Sequence, residues 1–303
     1  MARKLAVIEA PSALGHVPTH QGVMRTPEVL LACGLAERLP ARKGACVPAP
    51  AYKPEQDHET KILNPVGLHD YAISLADAVG TVLEQGEFPI VLGGDCSILL
   101  GTMLALRRLG RYGLVYIDGD ADFYSPEHNP ILGAASASDV AFATGRGPDV
   151  VADIEGRRPL VRDEDVVIFA NRDGALHLQQ RNQPLPESML VLDSGQVRRL
   201  GVDTAVEEAV AYLTRPDGPE GYWVHFDADV LDESIMRAVD DPRPGGLTWA
   251  DARAAIRIAT RSPRALGLQV TIYNPDLDFD GTSGRGLAAT LVHALRDEPS
   301  EIS

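Results

Sequence analysis

Short apolar runs alternate along the chain with segments whose apolar residues recur at helical spacing. The runs have the length of buried strands and predict strands at residues 5–8, 90–92, 114–117, 166–170, 189–192, 223–226 and 266–272. Helices are predicted between most of them, at residues 26–39, 68–85, 97–109, 202–213, 248–260 and 286–295. About seven or eight strands that alternate with helices predict an α/β fold with a mainly parallel sheet covered on both faces.

The connections between these elements predict one domain and one functional loop. Residues 41–66 are rich in proline, lysine and polar groups, which indicates a long surface connection. Some 20 residues rich in Ala, Ser and Pro follow the strand at 114–117, and loops of that length are uncommon unless they are functional, so we expect part of a substrate pocket there. No repeat or break in composition divides the chain, so residues 1–303 are expected to form a single domain, with residues 297–303 as a frayed tail.

Composition and charge narrow the class of protein. Hydrophobic residues make up 45% of the chain, as in ordinary globular proteins, and the formal net charge of −15 argues against a nucleic-acid or anionic-membrane partner. Three cysteines do not make a disulfide framework and fit a reducing compartment. The N-terminus does not have the pattern of a secretory signal, and no apolar run is long enough to span a bilayer. We therefore expect a cytoplasmic protein that acts on a small molecule.

Side chains that can bind a cation follow three of the predicted strands. They are Asp118, Asp120 and Asp122 after the strand at 114–117, Cys96 after the strand at 90–92, and Asp227 and Asp229 after the strand at 223–226. Burying unpaired carboxylates is costly, and hard divalent ions take oxygen ligands. Because the carboxyl ends of parallel strands meet at one edge of a sheet, the sequence predicts a divalent-metal site at that edge.

The histidines contribute less to this prediction. His16 and His20 lie in a glycine-bearing loop after the first strand and are expected to be loop residues rather than ligands. His225 precedes Asp227 by two positions, and we expect it to be a core residue or one that supports a ligand.

Several short motifs occur in the order and at the separations of one enzyme superfamily. Gly93-Gly-Asp-Cys-Ser97 resembles Gly-Gly-Asp-His-Ser, Asp118-Gly-Asp-Ala-Asp122 resembles Asp-Ala-His-x-Asp, and Phe226-Asp-Ala-Asp229 resembles Phe-Asp-x-Asp. Pro244-Gly-Gly-Leu-Thr248 and Asn274-Pro275 match the sequences that follow. Over nearly its whole length the chain thus resembles the ureohydrolase superfamily of arginase, agmatinase and formimidoylglutamase. The resemblance implies a three-layer αβα sandwich with roughly eight strands.

The resemblance also implies a metal site and a reaction. Two manganese ions would bridge a water, lower its pKa and present hydroxide to a guanidinium carbon, releasing urea and an amine. By position, the first ion would be held by Cys96, Asp118, Asp122 and Asp227, and the second by Asp118, Asp120, Asp227 and Asp229. Asp122 would also accept a hydrogen bond from the hydroxide, which makes it the expected catalytic residue. Members of this superfamily usually form trimers or hexamers, so a homo-oligomer is expected.

The chain departs from the superfamily pattern at four places. Cys96 and Asp120 replace two histidine ligands, and sulfur favours softer ions than manganese. Ile272 stands where the family has a glutamate that binds the substrate guanidinium. The proton-relay histidine of the pocket loop has no counterpart, and the nearest positions are Ser136 and Ser138.

These departures change the expected substrate. Without the glutamate, a substrate has to be less cationic or held by another acid, for which Asp139, Asp276 and Asp278 are candidates. The leading prediction is a hydrolase of some other guanidino, amidino or amide C–N bond rather than an arginase. Three alternatives stay open: a catalytically impaired protein that binds a metabolite or partner, a thiol enzyme in which Cys96 attacks the substrate, and a structural trimer without a ligand.

Overall fold

The computed structural model of the chain describes residues 3–127, 133–172 and 183–296. Its strands form one sheet in which every neighbouring pair is parallel. They are β1 (Leu5–Ala10), β2 (Arg42–Cys46), β3 (Phe88–Gly93), β4 (Gly113–Ile117), β5 (Val166–Phe169), β6 (Leu190–Leu192), β7 (Tyr222–Asp227) and β8 (Ala265–Thr271). Their order across the sheet is β2-β1-β3-β8-β7-β4-β5-β6. The predicted α/β fold is confirmed.

Helices cover both faces of this sheet. They are α1 (Thr26–Ala32), α2 (Leu35–Arg38), α3 (Pro65–Glu84), α4 (Leu99–Leu109), α5 (Asp139–Ala143), α6 (Asp149–Ala152), α7 (Ser194–Leu200), α8 (Val202–Leu213), α9 (Trp249–Arg261) and α10 (Thr282–Leu295). Successive strand residues point to opposite faces, so Ile90 and Leu92 of β3 pack in a core that contains Leu287 of α10. Val91 packs in the other core, with Leu75 of α3. The three-layer arrangement follows from these two cores.

The predicted surface connection at residues 41–66 was wrong in part, because it contains β2. This strand pairs with β1 at the edge of the sheet, and most of its residues are exposed. Its sequence, Arg42-Lys-Gly-Ala-Cys46, lacks the apolar run by which the other strands were predicted. Charged edge strands are a common protection against pairing with other chains, and they are hard to predict from hydrophobicity.

The predicted helix at residues 26–39 was also wrong as one continuous element. It is divided into α1 and α2 at Gly34, which has φ of 77°. This left-handed conformation favours glycine and ends an α-helix. The other five predicted helices each overlap a helix of the structure, and their ends differ by a few residues.

Four central strands of the sheet position the predicted site. β3, β8, β7 and β4 are consecutive neighbours, so the segments that follow them lie side by side at one edge. The predicted pocket loop includes a 3₁₀ helix at Ala135–Ala137 and then α5. Residues 128–132 of that loop and the predicted tail at 297–303 lie outside the described residues. None of the helices in the described ranges is long and apolar enough to cross a membrane.

Candidate metal centre

The turn after β3 brings three strand ends together. Gly94 lies so close to the carbonyl oxygen of Ser12 that a β-carbon there would overlap it. The carbonyl oxygen of Gly94 accepts a hydrogen bond from the backbone N–H of Ile272 (2.8 Å), and Asp95 N–H donates to Ser12 O (3.0 Å). The Gly-Gly sequence therefore lets the ends of β1, β3 and β8 approach each other, and it places Cys96 at the edge of the sheet.

Cys96 meets the aspartates that follow β4 and β7. Its Sγ donates to Asp227 Oδ2 (2.7 Å), which also accepts from Thr271 Oγ1 (3.1 Å). Candidate ligand atoms of Cys96, Asp118 and Asp227, with a nitrogen of His225, all lie within 4.8 Å of one another. Asp118 Oδ2 is buried and has no hydrogen-bond partner among the described residues. An orphaned carboxylate oxygen in such a group fits a bound cation.

His225 lies beside this group as a supporting side chain. The indole N–H of Trp223 can only donate, so it fixes Gln269 Oε1 at 2.9 Å and turns the Gln269 amide nitrogen toward His225 Nδ1 at 2.7 Å. Burial lowers the pKa of His225 to about 3, so the ring is neutral and its one proton is on Nε2. That atom lies 3.5 Å from Asp118 Oδ2. Nε2 also lies 3.3 Å from Thr271 Oγ1, so in this orientation the ring is placed to support the neighbouring side chains rather than to offer a lone pair to an ion.

A second group of carboxylates is formed by Asp118, Asp120 and Asp229, whose oxygens also lie within 4.8 Å of one another. Backbone N–H groups orient them: Asp120 N–H donates to Asp118 Oδ1 (2.7 Å), and Gly119 N–H donates to Asp229 Oδ1 (3.0 Å). Arg243 Nη2 contacts both oxygens of Asp120, at 3.0 and 2.8 Å. The group is therefore all-oxygen, and a guanidinium shares one of its carboxylates.

Burial and mutual repulsion make the protons of these acids hard to remove. Burial and the charge of Asp120 raise the pKa of Asp118 to about 7, and burial with Asp118 raises that of Asp229 to about 8. The pKa of Asp227 is raised well above its usual range, by burial, Asp229 and Asp118. Burial also raises the pKa of the Cys96 thiol, which Asp227 increases further. A divalent cation would relieve this repulsion, so the donor set fits a metal.

Asp122 belongs to neither group but lies at the same edge. Its backbone has φ of 44°, in the left-handed region where aspartate is tolerated. Its Oδ2 accepts a hydrogen bond from the Tyr116 hydroxyl (2.6 Å). Burial, followed by the charges of Asp118 and Asp139, raises the pKa of Asp122 well above its usual range.

A cavity of about 300 Å³ opens onto the metal groups. Predicted site residues that line it are Cys96, Asp120, Asp122, Asp227 and Asp229, with Ser136 and Ile272. Residues that sequence reasoning missed also line it: His16, His20, Tyr124, Asp240, Asp241 and Arg243. Asp240, Asp241 and Arg243 come from the loop between β7 and α9. Their proximity to the motif at residues 244–248 is the signal that could have indicated them.

The other predicted substrate residues lie away from this cavity. Ser138 and Asp139 are both buried and do not line it, and Asp139 accepts hydrogen bonds from Tyr116 (3.1 Å) and from its neighbour's N–H. Asp276 pairs with Arg25 (2.7 Å), and Asp278 accepts from a tyrosine hydroxyl. None of the three acids suggested as replacements for the missing glutamate is therefore a cavity residue.

Comparisons with known proteins agree with the geometry. The model of the arginase family matches residues 4–296. An arginase from Bacillus subtilis (strain 168) is 28% identical over 301 residues, covering 97% of this chain and 98% of its own. An arginase from Bacillus caldovelox is 28% identical over 283 residues, covering 91% and 92%. The solved structure of the arginase from Bacillus caldovelox superposes with a TM-score of 0.85 at 25% identity, covering 98% of this chain and 99% of that one.

Proposed function

Because the chain belongs to the arginase family, we propose that it is a divalent-metal-dependent hydrolase that cleaves a C–N bond of a small guanidino, amidino or related amide compound. The observation that carries the proposal is the meeting of Cys96, Asp118, Asp227 and Asp229 at one sheet edge, beside a cavity of about 300 Å³. A cavity of that size suits a small metabolite. A homo-oligomer, trimer or hexamer, stays a prediction from the family.

Two ions are proposed, with manganese as the reference ion. The first would be held by Cys96, Asp118, Asp227 and Asp122, and the second by Asp118, Asp120, Asp227 and Asp229. The all-oxygen donors of the second set suit Mn²⁺, whereas the thiolate of Cys96 favours a softer ion at the first. Bound there, such ions supply a water of lowered pKa and polarise the substrate carbon.

The protein side chains orient the reactants and carry the protons. Asp122 faces the cavity with one oxygen engaged by Tyr116, so its other oxygen would contact the first ion and also accept a hydrogen bond from the attacking water. The raised pKa of Asp122 suits a group that takes a proton and returns it to the departing nitrogen. Trp223 and Gln269 orient the ring of His225, whose Nε2 lies 3.5 Å from Asp118 Oδ2.

Ile272 is the basis for proposing a substrate other than arginine. Its side chain is 7% exposed and lines the cavity, so an apolar group stands where the family has the guanidinium's counter-ion. The cavity acids outside the proposed ligand set are already engaged by other side chains: Asp240 contacts His16, and Asp241 pairs with Arg243. We therefore propose that the parent protein hydrolyses arginine and agmatine poorly.

One observation favours a second candidate, a catalytically impaired protein that binds a metabolite. Arg243 places a guanidinium against Asp120, a proposed ligand of the second ion. If that pair persists in solution, Asp120 is shared and the second ion is held more weakly. Metal content and turnover together separate the two candidates, because the hydrolase requires two bound ions and a compound that it cleaves.

The test combines metal content with a substrate panel. The stripped protein is reloaded with Mn²⁺ or Zn²⁺, the bound metal is counted by elemental analysis, and release of urea and ammonia is measured from guanidino, amidino and primary amide compounds. For the Mn²⁺-loaded protein the proposal predicts two equivalents of metal and turnover of at least one compound, lost in Asp227→Asn. Two bound ions with no turnover of any compound would support the binding protein instead.

A further inference from the structure

A second cluster of metal-binding side chains lines the cavity apart from the carboxylate groups. It consists of His16 and His20, from the loop after β1, and Asp240, from the loop after β7. From its geometry we propose that these three side chains form a separate cation site for a borderline divalent ion of the zinc class. The site does not depend on the proposed hydrolase activity, because none of its residues belongs to the proposed catalytic ligands.

The three side chains converge on one point. Their candidate ligand atoms all lie within 4.8 Å of one another. His16 Nε2 contacts Asp240 Oδ2, and His20 Nδ1 lies 3.7 Å from Asp240 Oδ1. Two ligands that each lie about 2.1 Å from one zinc ion are about 3.4 Å apart. His20 Nδ1 and Asp240 Oδ1 are already close to that separation, whereas His16 Nε2 and Asp240 Oδ2, which are in direct contact, have to move apart to admit the ion.

The nitrogen of His20 that faces Asp240 lacks a protein partner. His20 Nδ1 is buried and has no hydrogen bond to any described residue, and the same holds for His16 Nδ1. The distance of 3.7 Å from His20 Nδ1 to Asp240 Oδ1 is too long for a hydrogen bond. A simple ion pair between His16 and Asp240 would leave His20 Nδ1 unsatisfied, whereas an ion among the three satisfies it.

The backbone holds the two histidines in place without help from a ligand. His16 N–H donates to Ala13 O and His20 N–H donates to Val17 O, both at 3.1 Å. The Tyr52 hydroxyl donates to His16 O (2.8 Å). Asn274 Nδ2 donates to Asp240 Oδ1 (3.3 Å), which orients the carboxylate from its other side. Such supporting contacts around the donors are typical of metal sites.

The donor types select the class of ion. Two imidazole nitrogens and one carboxylate oxygen form a set that binds zinc and neighbouring first-row ions, in contrast to the all-oxygen group of Asp118, Asp120 and Asp229. Three protein ligands leave at least one coordination position open. Because His16, His20 and Asp240 all line the cavity, that position is reached from the cavity, where an anionic or amino group of a bound molecule is able to take it.

The test counts zinc on the stripped full-length protein. Equilibrium dialysis against buffered Zn²⁺ is followed by elemental analysis, for the parent, His20→Gln and Asp240→Asn. Each variant is expected to bind one equivalent fewer than the parent at the same free Zn²⁺. Loss of a residue that supports a ligand already lowers metal affinity by about 10- to 100-fold. Loss of a ligand itself is therefore expected to lower the affinity of this site for Zn²⁺ by at least about 100-fold.

Two further variants serve as controls. His58→Gln removes an exposed histidine from another loop and should bind as much zinc as the parent. Cys96→Ser alters the carboxylate and thiol groups at the sheet edge, and it should still bind the equivalent of zinc that His20→Gln loses. Circular dichroism verifies folding, and the partly exposed side chain of His20 makes its replacement mild. If His20→Gln and Asp240→Asn both bind as much zinc as the parent, the cluster is only a His–Asp ion pair and the proposal is overturned.

Discussion

Asp227→Asn is expected to change the stability of the stripped and the metal-loaded protein in opposite directions. Asp227 contacts Cys96 and Thr271 and is proposed as a ligand of both ions. In the stripped protein its charge is unfavourable, because burial and the neighbouring Asp229 and Asp118 raise its pKa. A neutral amide of the same shape removes that repulsion, so the stripped variant should unfold at the same temperature as the stripped parent or higher.

In the metal-loaded protein the variant should be less stable than the parent, and the difference in melting temperature can be estimated. An ion present at about 1,000 times its Kd stabilises the folded state by about 4.1 kcal/mol. At about 2.1 cal/mol/K per residue, the 303 residues have an unfolding entropy of about 640 cal/mol/K. The Tm of the parent should therefore rise by about 6 °C on loading, and most of that rise should be absent in Asp227→Asn.

Calorimetry of four samples tests this reasoning: parent and variant, each stripped and each with excess Mn²⁺. Asp217→Asn is a matched control, since it removes the charge of an exposed loop aspartate and should respond to Mn²⁺ like the parent. An Asp227→Asn protein whose Tm rises with Mn²⁺ as much as that of the parent would refute the shared-ligand role of Asp227.

Three further predictions concern the cavity. Ile272→Glu should bind agmatine at least about tenfold more tightly than the parent, as measured by calorimetry, because the glutamate restores a counter-ion for the guanidinium group. Rapid release of urea from arginine by the parent protein would contradict the role given to Ile272. Arg243→Met should bind Mn²⁺ at least about tenfold more tightly, because Asp120 loses a competing cation; weaker Mn²⁺ binding would show that Arg243 supports the site. Tyr116→Phe removes a hydrogen bond that stabilises the charged form of Asp122, so the pKa of Asp122 should rise further. The acid limb of the pH–rate profile should then move to higher pH by about one unit. If that limb does not move, Asp122 is not the titrating group.

The fold was predictable from sequence wherever burial leaves an apolar pattern. The central strands β3, β4 and β7 are buried along their whole length, and each was predicted to within a few residues. β2 was missed because an edge strand is not required to be apolar. The positions of Cys96, Asp118 and Asp227 were predictable for a related reason, since each lies at or shortly after the end of a buried strand whose neighbours in the sheet bring the ends together.

The residues that were missed come from loops, where no periodicity ties sequence to position. His16 and Asp240 are 224 positions apart, and only the packing of the loops after β1 and β7 brings them together. Arg243 likewise reaches Asp120 across 123 positions. A motif records which residues a family shares, but the partners that neutralise a substituted residue such as Asp120 are specific to this chain.

The protonation of His225 likewise cannot be predicted from sequence, and it decides whether the ring can bind an ion. Its spacing of two from Asp227 places both side chains on one side of β7, and the sequence predicted a core residue or one that supports a ligand. The choice rests on Trp223, whose N–H can only donate and so sets the orientation of Gln269. That orientation leaves the proton on Nε2, which lies 3.3 Å from Thr271 Oγ1 and 3.5 Å from Asp118 Oδ2, so His225 is placed to support the site rather than to replace the lost family histidine. In the proposed site the first ion would therefore be held by sulfur and oxygen, and its identity would depend on the thiolate of Cys96.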